Sequence, residues 1–528
     1  MQKMLGLLAV AALLAASQPV LALSVSSGPI PPKPGPALAA RIKAGDCEVY
    51  GIVHWGLNTY TDREWGFGDE DPKMLAPARF DADQIVGACR DGGLAGLVVV
   101  AKHHDGFCLW PTKTTGHNIT KTPFWRGTGN GERIPRAKRV AEGDALAGVV
   151  TGNGERGTGR DYVKEMERAC RKAGLRFGVY VSPWDRHDPD YATPKYVEKY
   201  HAQIKELLSG DYGEVFEMWF DGANGGDGWY GGAKERRRIG VASDYYRFPE
   251  VFTFVRALQP KVCIFAGESD DSDFRWPGNE KGELDPNSGA TICSTGGYVD
   301  GKYGNPDYKT HINTGMQSSL NTSTKSFFRV CECDFPMRPG WFYHAKEKGK
   351  TKSGIYLLKR YLNTVGNGGT MNIGIAPNKD GRLDEEDVKA LADFGKLKAA
   401  FFSKPITNEL CNVVVMSEDV VNRGETCDEW LLYENDKKEP WDWLLDDGRK
   451  LAYGKNIGIK RIRTLDTPRP AERLHLNVYG DGAEALPMKF YYVEPEFLKA
   501  VLSATTESGE TDTAKWMTAG KQGDATIH

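Results

Sequence analysis

Three short stretches of this 528-residue chain carry side chains able to attack, protonate or grip a ligand. MWFDGANGG ends an apolar run in Asp221, and the Gly222, Ala223 and Asn224 that follow leave its carboxylate room to approach a bound molecule. Asp221 is therefore the candidate nucleophile. FRWPGNEKG sets Glu280 in a loop of Trp, Pro and Gly, an aromatic setting that raises a carboxyl pKa and keeps the group protonated as a general acid. Glu268 in FAGESDD competes for that role beside Asp270, Asp271 and Asp273, and spacing alone does not choose between the two glutamates. LVVVAKHHDGF places Lys102, His103, His104 and Asp105 at the exit of an apolar strand. Neighbouring side chains on an extended segment point to opposite sides, which argues against a shared metal ion. Neutral imidazoles instead donate to and accept from sugar hydroxyls, so neither metal nor cofactor is expected.

The elements that must position these groups alternate in kind. Apolar runs at 50–55, 96–101, 175–182, 214–220 and 261–265 are separated by helix-length segments such as 160–174 and 193–210, whose apolar residues recur at three- and four-residue spacing. Strands alternating with helices imply a parallel sheet, and the length from 40 to about 400 favours a closed (β/α)8-like, TIM-type barrel. Four successive strands end in polar and aromatic clusters: His54 and Trp55 with NTYTDREW behind them; Lys102 to Asp105; Ser182, Trp184, Asp185 and Arg186; Trp219 and Asp221. In a barrel these carboxyl ends share the face on which loops build a site. A lone histidine after a strand is usually structural, but packing alone does not produce four such ends.

Beyond the helix-like 384–402, short alternating stretches (NVVVMS, EWLLYE, GIKRIRTL, RLHLNVYG, MKFYYVE) predict a C-terminal antiparallel β-sandwich. The predicted organisation is a signal peptide over 1–22, a Pro-rich leader over 23–40, the barrel over 41–402, the sandwich over 403–502, and a polar tail without fixed structure over 503–528. The string TGNGER occurs at 128–133 and again at 151–156, so 127–159 reads as an inserted surface loop. The charged start, apolar stretch and small-residue exit of the first 22 residues predict export to a periplasm or the outside of the cell. No later window is apolar enough to span a bilayer. A net charge of -3 without a basic stripe excludes a nucleic-acid footprint. The 13 Trp, 22 Tyr and 61 Gly suit loops that grip flat sugar faces. The ten cysteines are scattered through apolar runs, and the closest pair, Cys331 and Cys333, lacks zinc-site spacing, so they read as buried thiols, with pairing of some allowed by export.

HWGLNTYTDREW, VVAKHHDGFCLWPT, FGVYVSPWDRH, MWFDGANGG, RWPGNEKG and RPGWFYH together resemble the α-L-fucosidases of glycoside hydrolase family 29, over about residues 45–495. The resemblance implies a retaining exo-glycosidase that removes terminal α-L-fucose without a cofactor. Asp221 matches the family nucleophile, and Glu280 in WPGNE matches the acid/base, which demotes Glu268. By the same matching His54, Glu64, Trp65, His103, His104, Tyr180 and Trp219 hold fucose, while Arg275, Trp276 and Trp341 line the pocket or its leaving-group side. The GNE and RPGW motifs resemble the branch preferring α-1,3- or α-1,4-linked fucose, as in Lewis-type determinants. Fucosylated oligosaccharides or glycoproteins are then the expected partners. FAGESDDSDFRW and Pro277 depart from the family's usual pattern ahead of the glutamate. Two other readings remain: an exo-glycosidase for another α-L-sugar, and a glycan-binding relative without turnover.

Overall fold

In the computed structural model the described residues are 31–126, 159–266, 271–293, 326–403, 405–407, 409–435, 449–480 and 486–506, with a few isolated positions elsewhere. Residues 1–21, nearly all of the predicted insert, and Glu268 with Asp270 lie outside them.

Eight strands form a closed parallel barrel: β1 (Val49–Val53), β2 (Gly96–Lys102), β3 (Arg176–Val181), β4 (Glu217–Phe220), β5 (Cys263–Ala266), β6 (Phe274–Arg275), β7 (Val330–Pro336) and β8 (Thr370–Ile375). Each pairs with its sequence neighbours, and β8 returns to β1 through Met371 opposite Val49. The strands are buried on both faces, hence their near-continuous apolar runs. Alternate residues serve two cores. Tyr50, Ile52, Val98, Val100, Tyr180, Trp219, Phe265, Phe274 and Val330 fill the barrel interior. Val49, Val53, Leu97, Val99, Val179 and Met218 face outward to the helices.

The outer layer holds α2 (Ala82–Asp91), α3 (Tyr162–Ala173), α4 (Pro194–Leu208), α5 (Phe248–Leu258), α6 (Gly354–Thr364) and α7 (Glu385–Phe401) after β1, β2, β3, β4, β7 and β8. Among the described residues no helix follows β5 or β6. The helices start where their sequences dictate: Asp161 accepts from the Lys164 amide at 3.0 Å ahead of α3, and Gly174, left-handed at φ 76°, closes it.

The leader boundary moves. Helix α1 (Pro36–Ala44) begins inside the predicted leader, because proline at the first helical turn loses no needed hydrogen bond. It stoppers the amino-terminal end of the barrel: Leu38 joins the interior cluster, and Arg41 places Nη1 2.6 Å from Glu217 Oε2 at the start of β4. The range predicted as sandwich ends in a helix that packs on the barrel instead. Helix α8 (Pro495–Ser503) packs Phe497, Leu498 and Val501 onto the barrel's outer core, and Trp516 stacks on Phe497 at 5.2 Å between ring centroids.

After α7 come two small sheets. In one, Leu410–Met416 pairs antiparallel with Arg461–Pro470 and Met488–Tyr491; in the other, Glu429–Glu434 pairs antiparallel with Arg449–Lys455 and Leu474–Tyr479. Val414, Met416, Trp430, Leu432, Leu476 and Phe490 from the two sheets share one apolar cluster. Nine cysteines are buried free thiols.

Candidate active site

The question posed by two adjacent histidines is answered at the end of β2. The pairing of β2 with β3 slips by one residue between Val100 and Lys102. Lys102 thereby turns outward, donating to Tyr196 Oη and Gln203 Oε1 of α4, each at 3.0 Å, and pairing with Asp185. The chain then turns at Gly106 (φ 76°), which donates back to the His103 carbonyl. His103 and His104 therefore do not point to opposite sides as extended geometry predicts; their ring centroids lie 4.1 Å apart. His54, from the end of β1, completes the group 5.7 Å from His103.

These three imidazoles are buried, and burial pushes their pKa values down: His54 to about 3, His103 well below its ordinary value, His104 in the same direction. They are neutral at neutral pH and can both donate and accept. Their orientations are set from behind. Asn58 Nδ2 lies 3.4 Å from His103 Nδ1, and Ser182 Oγ lies 2.7 Å from His104 Nδ1. His103 stacks nearly parallel to Tyr180, with Phe342 edge-on at 5.0 Å.

Asp221 follows β4 directly. Tyr180 Oη donates to its Oδ2 at 2.9 Å, the Ala223 amide donates to Oδ1 at 2.6 Å, and His104 Nε2 stands 3.9 Å from Oδ2. Its side chain keeps 24% exposure, so one face of the carboxylate remains open to a ligand. Trp219, two residues earlier, forms the floor: its ring stacks between Tyr180 and Phe265, and its Nε1 donates to Glu332 Oε1 at 2.8 Å inside the barrel. That indole nitrogen is used inside the barrel and both ring faces are covered, so Trp219 can offer a ligand only its edge.

Glu280 sits at the exposed rim of the loop after β6, with Trp341 Nε1 3.4 Å from its Oε2. Partial burial lifts its carboxyl above the usual range; the Trp341 bond opposes this, and the negative charges of Asp221 and Glu64 add to it. Trp276 Nε1 donates to Asp334 Oδ1 at 2.9 Å, fixing the start of the same loop. Trp341 lies over Gly374, where a β-carbon would stand 2.8 Å from the indole, and packs 5.1 Å from His54.

Glu64 reaches this loop rather than the histidines. Its Oε2 accepts from the Trp341 amide at 2.8 Å, and its Oε1 accepts from the Phe342 amide at 3.3 Å and lies 2.5 Å from His344 Nε2. Trp65 stands at the mouth, 53% exposed, edge-on to His104 and Trp184. Arg275 is placed differently from its expected position. On β6 Phe274 faces in, opposite Val330, so Arg275 faces out with Cys331, and donates to the Gly289 and Arg329 carbonyls. Strand alternation removes it from the pocket.

Sequence reasoning passed over three contributors. Glu332 and Asp334 alternate with the cysteines of RVCECDF and face the barrel interior, where burial, together with the nearby Glu280 and Glu332 charges, raises the Asp334 carboxyl well above its ordinary pKa. The two-residue spacing of those acids was the available signal. His344, inside RPGWFYH, bridges Asp62 and Glu64. An attacking carboxylate, a carboxyl held toward its protonated form and neutral hydroxyl-binding imidazoles can together carry out acid-assisted displacement at a sugar carbon.

Comparison with known proteins agrees. The alpha-L-fucosidase family model matches residues 46–399. The chain belongs to that family. It is 32% identical over 361 residues to Alpha-L-fucosidase 1 of Arabidopsis thaliana, a match covering 68% of this chain and 59% of the relative; the chain thus spans less than two thirds of that plant protein. It also resembles the crystal structure of a glycoside hydrolase 29 family member from an unknown rumen bacterium, at 30% identity and a TM-score of 0.69, covering 88% of this chain and 78% of that one.

Proposed function

We propose that the protein is a retaining exo-glycosidase that hydrolyses terminal α-L-fucose, with preference for α-1,3 and α-1,4 linkages. The observation that carries this reading is a pair of carboxyl groups close enough to feel each other's charge: Asp221 bonded to Tyr180 at the end of β4, and Glu280 on the loop after β6, its carboxyl lifted in part by the charge of Asp221. Asp221 attacks the anomeric carbon while Glu280 protonates the departing oxygen, giving a β-linked fucosyl-enzyme. Glu280, now ionised, takes a proton from water, which releases fucose with the original anomeric configuration. His54, His103 and His104 bind the ring hydroxyls, and the exposed face of Trp65 packs against the C5 methyl.

Support for the linkage preference comes from the GNE and RPGW motifs, whose Trp276 lies in the same loop as Glu280 and whose Trp341 places Nε1 3.4 Å from the Glu280 carboxylate, offering aromatic surface to a leaving group. Support for export comes from the composition of the first 22 residues. No helix among the described residues is long and apolar enough to cross a membrane.

The test is release of free fucose from a Lewis-type trisaccharide, an α-1,2-fucosyllactose and an aryl α-L-fucoside, by the unmodified protein, Asp221→Asn and Glu280→Gln. Activity that favours the trisaccharide and collapses in both variants supports the proposal. Absence of free fucose from all three substrates refutes it, and full activity of Glu280→Gln moves the acid role to Glu268.

A further inference from the structure

Between Asp221 and α5 the chain makes an antiparallel hairpin, Gly225–Gly228 with Glu235–Arg238, that the catalytic reading does not use. It begins four residues after Asp221. Gly225 is opposite Arg238, and the Ile239 amide donates to the Asn224 carbonyl, so the arginine strand is sewn to the nucleophile's own loop. The first strand runs along the mouth toward Trp65: Arg186 donates to the Asp227 and Gly66 carbonyls, each at 2.6 Å, and the Trp229 amide donates to the Phe67 carbonyl at 3.0 Å.

The hairpin's two faces differ. Gly226 and Arg237 pack downward. A β-carbon on Gly226 would meet the Trp184 ring at 2.9 Å, and Arg237 lies 4.8 Å over Tyr230 and donates to the Pro189 and Tyr191 carbonyls. Arg236 and Arg238, on the opposite face, are exposed, as is Lys234 at the turn. Arg236 faces Asp227 at 3.6 Å, but among the described residues Lys234 and Arg238 have no acidic partner. Tyr230 and Lys234 hold positive φ angles of 42° and 50°, conformations that non-glycine residues adopt only when their surroundings impose them. The turn is thus fixed with its ammonium outward. In a chain of net charge -3, four cations against two acids on one short rim hairpin are a local reversal of sign.

We propose that this hairpin is a rim subsite for an anionic substituent, a sulfate ester or a sialyl carboxylate, on the glycan that carries the fucose. The inference deepens the fucosidase reading and rests on it. Lys234 and Arg238 supply the attraction; Trp65, across the mouth, supplies an apolar face for the sugar ring between the charge and the scissile bond.

The test separates the two layers. The aryl α-L-fucoside, which has no anionic group, reports the catalytic reading, and the Lys234→Gln/Arg238→Gln double variant should hydrolyse it as the unmodified protein does. The catalytically disabled Asp221→Asn protein, with and without the double substitution, is then titrated with a neutral Lewis-type trisaccharide and with its sulfated and sialylated forms. At low salt the anionic forms should bind about three- to tenfold more tightly than the neutral one, as two exposed ion pairs allow. The difference should shrink at high salt and vanish in the double variant. Preference for either anionic form alone names the substituent. Equal affinity for all three ligands, or a preference that survives the double substitution, overturns the proposal even if the aryl fucoside is hydrolysed. Failure to hydrolyse the aryl fucoside overturns the catalytic reading instead, and is read independently of the titration.

Discussion

His344 offers a test of how the loop after β7, which carries Trp341 to the proposed acid Glu280, is held, because it lies in the clamp and not among the groups facing the sugar. Its Nδ1 is 2.7 Å from Asp62 Oδ1 and its Nε2 2.5 Å from Glu64 Oε1, and the same Glu64 carboxylate accepts the Trp341 and Phe342 amides. Burial alone would lower the imidazole's pKa, but the two carboxylates outweigh it and raise it above the ordinary value. The side chains of Asp62 and Glu64 are 50% and 38% exposed, so solvent screens both pairs. At up to about 1 kcal/mol for each such pair, the clamp is worth roughly 1–2 kcal/mol. His344→Gln should therefore lower kcat/KM on a Lewis-type trisaccharide by about 5–30-fold at pH 5–6, taking 1.4 kcal/mol per factor of ten. The sign with pH follows from the raised pKa: the contribution is full below about 6.5, the unfolded value, and is lost as pH rises through the higher folded value. The ratio of wild-type to variant activity should thus be largest in acid and fall toward one in base. Titration of Glu280 occurs in both proteins and largely cancels in that ratio. A ratio that is flat across the range, or that grows with pH, would refute the clamp.

Other outcomes follow from the same geometry. Asp221→Asn should lose at least about a thousandfold in kcat, and in Asp221→Gly added azide should yield the inverted β-fucosyl azide, detected by NMR, because azide then attacks from the face the carboxylate has vacated. Glu280→Gln should lose about 10²–10⁴-fold on natural glycans and less on an aryl fucoside with a good leaving group. In the unmodified protein kcat/KM should fall as pH rises through the raised Glu280 pKa, since the acid must be protonated to donate, and that limb should be missing from the variant's pH profile. Arg41→Met should lower thermal stability by about 3 kcal/mol, the cost of leaving Glu217 buried beside Glu332 without its cation. Calorimetry showing unchanged stability would remove the stopper role assigned to α1.

The barrel was legible in the sequence because parallel strands buried on both faces must be apolar throughout, so their runs and their polar ends survive without knowledge of pairing. Asp221 and the histidines stand at those ends and come together for that reason, whereas Tyr180 is reached only through the family resemblance. What failed to show was whatever depends on rotation about a strand or on the reach of a loop. His103 and His104 share one pocket only because the pairing slips after Val100. Arg275 left the pocket because it is odd where Phe274 is even, and the acids Glu332 and Asp334 entered it by the same parity, hidden behind the cysteines that alternate with them. Glu64 illustrates the second kind: its sequence neighbour Trp65 faces the mouth, while its own carboxylate holds a loop 277 residues away. Composition cannot report such a bond, because a carboxylate that grips a sugar and one that grips two backbone amides are the same residue. The distinction is physical, set by which donors reach it first. It places Glu64 in support of Trp341 and, through Trp341, of Glu280, so that the proton donor of the proposed reaction is positioned by an acid and a histidine that never need to touch the departing sugar.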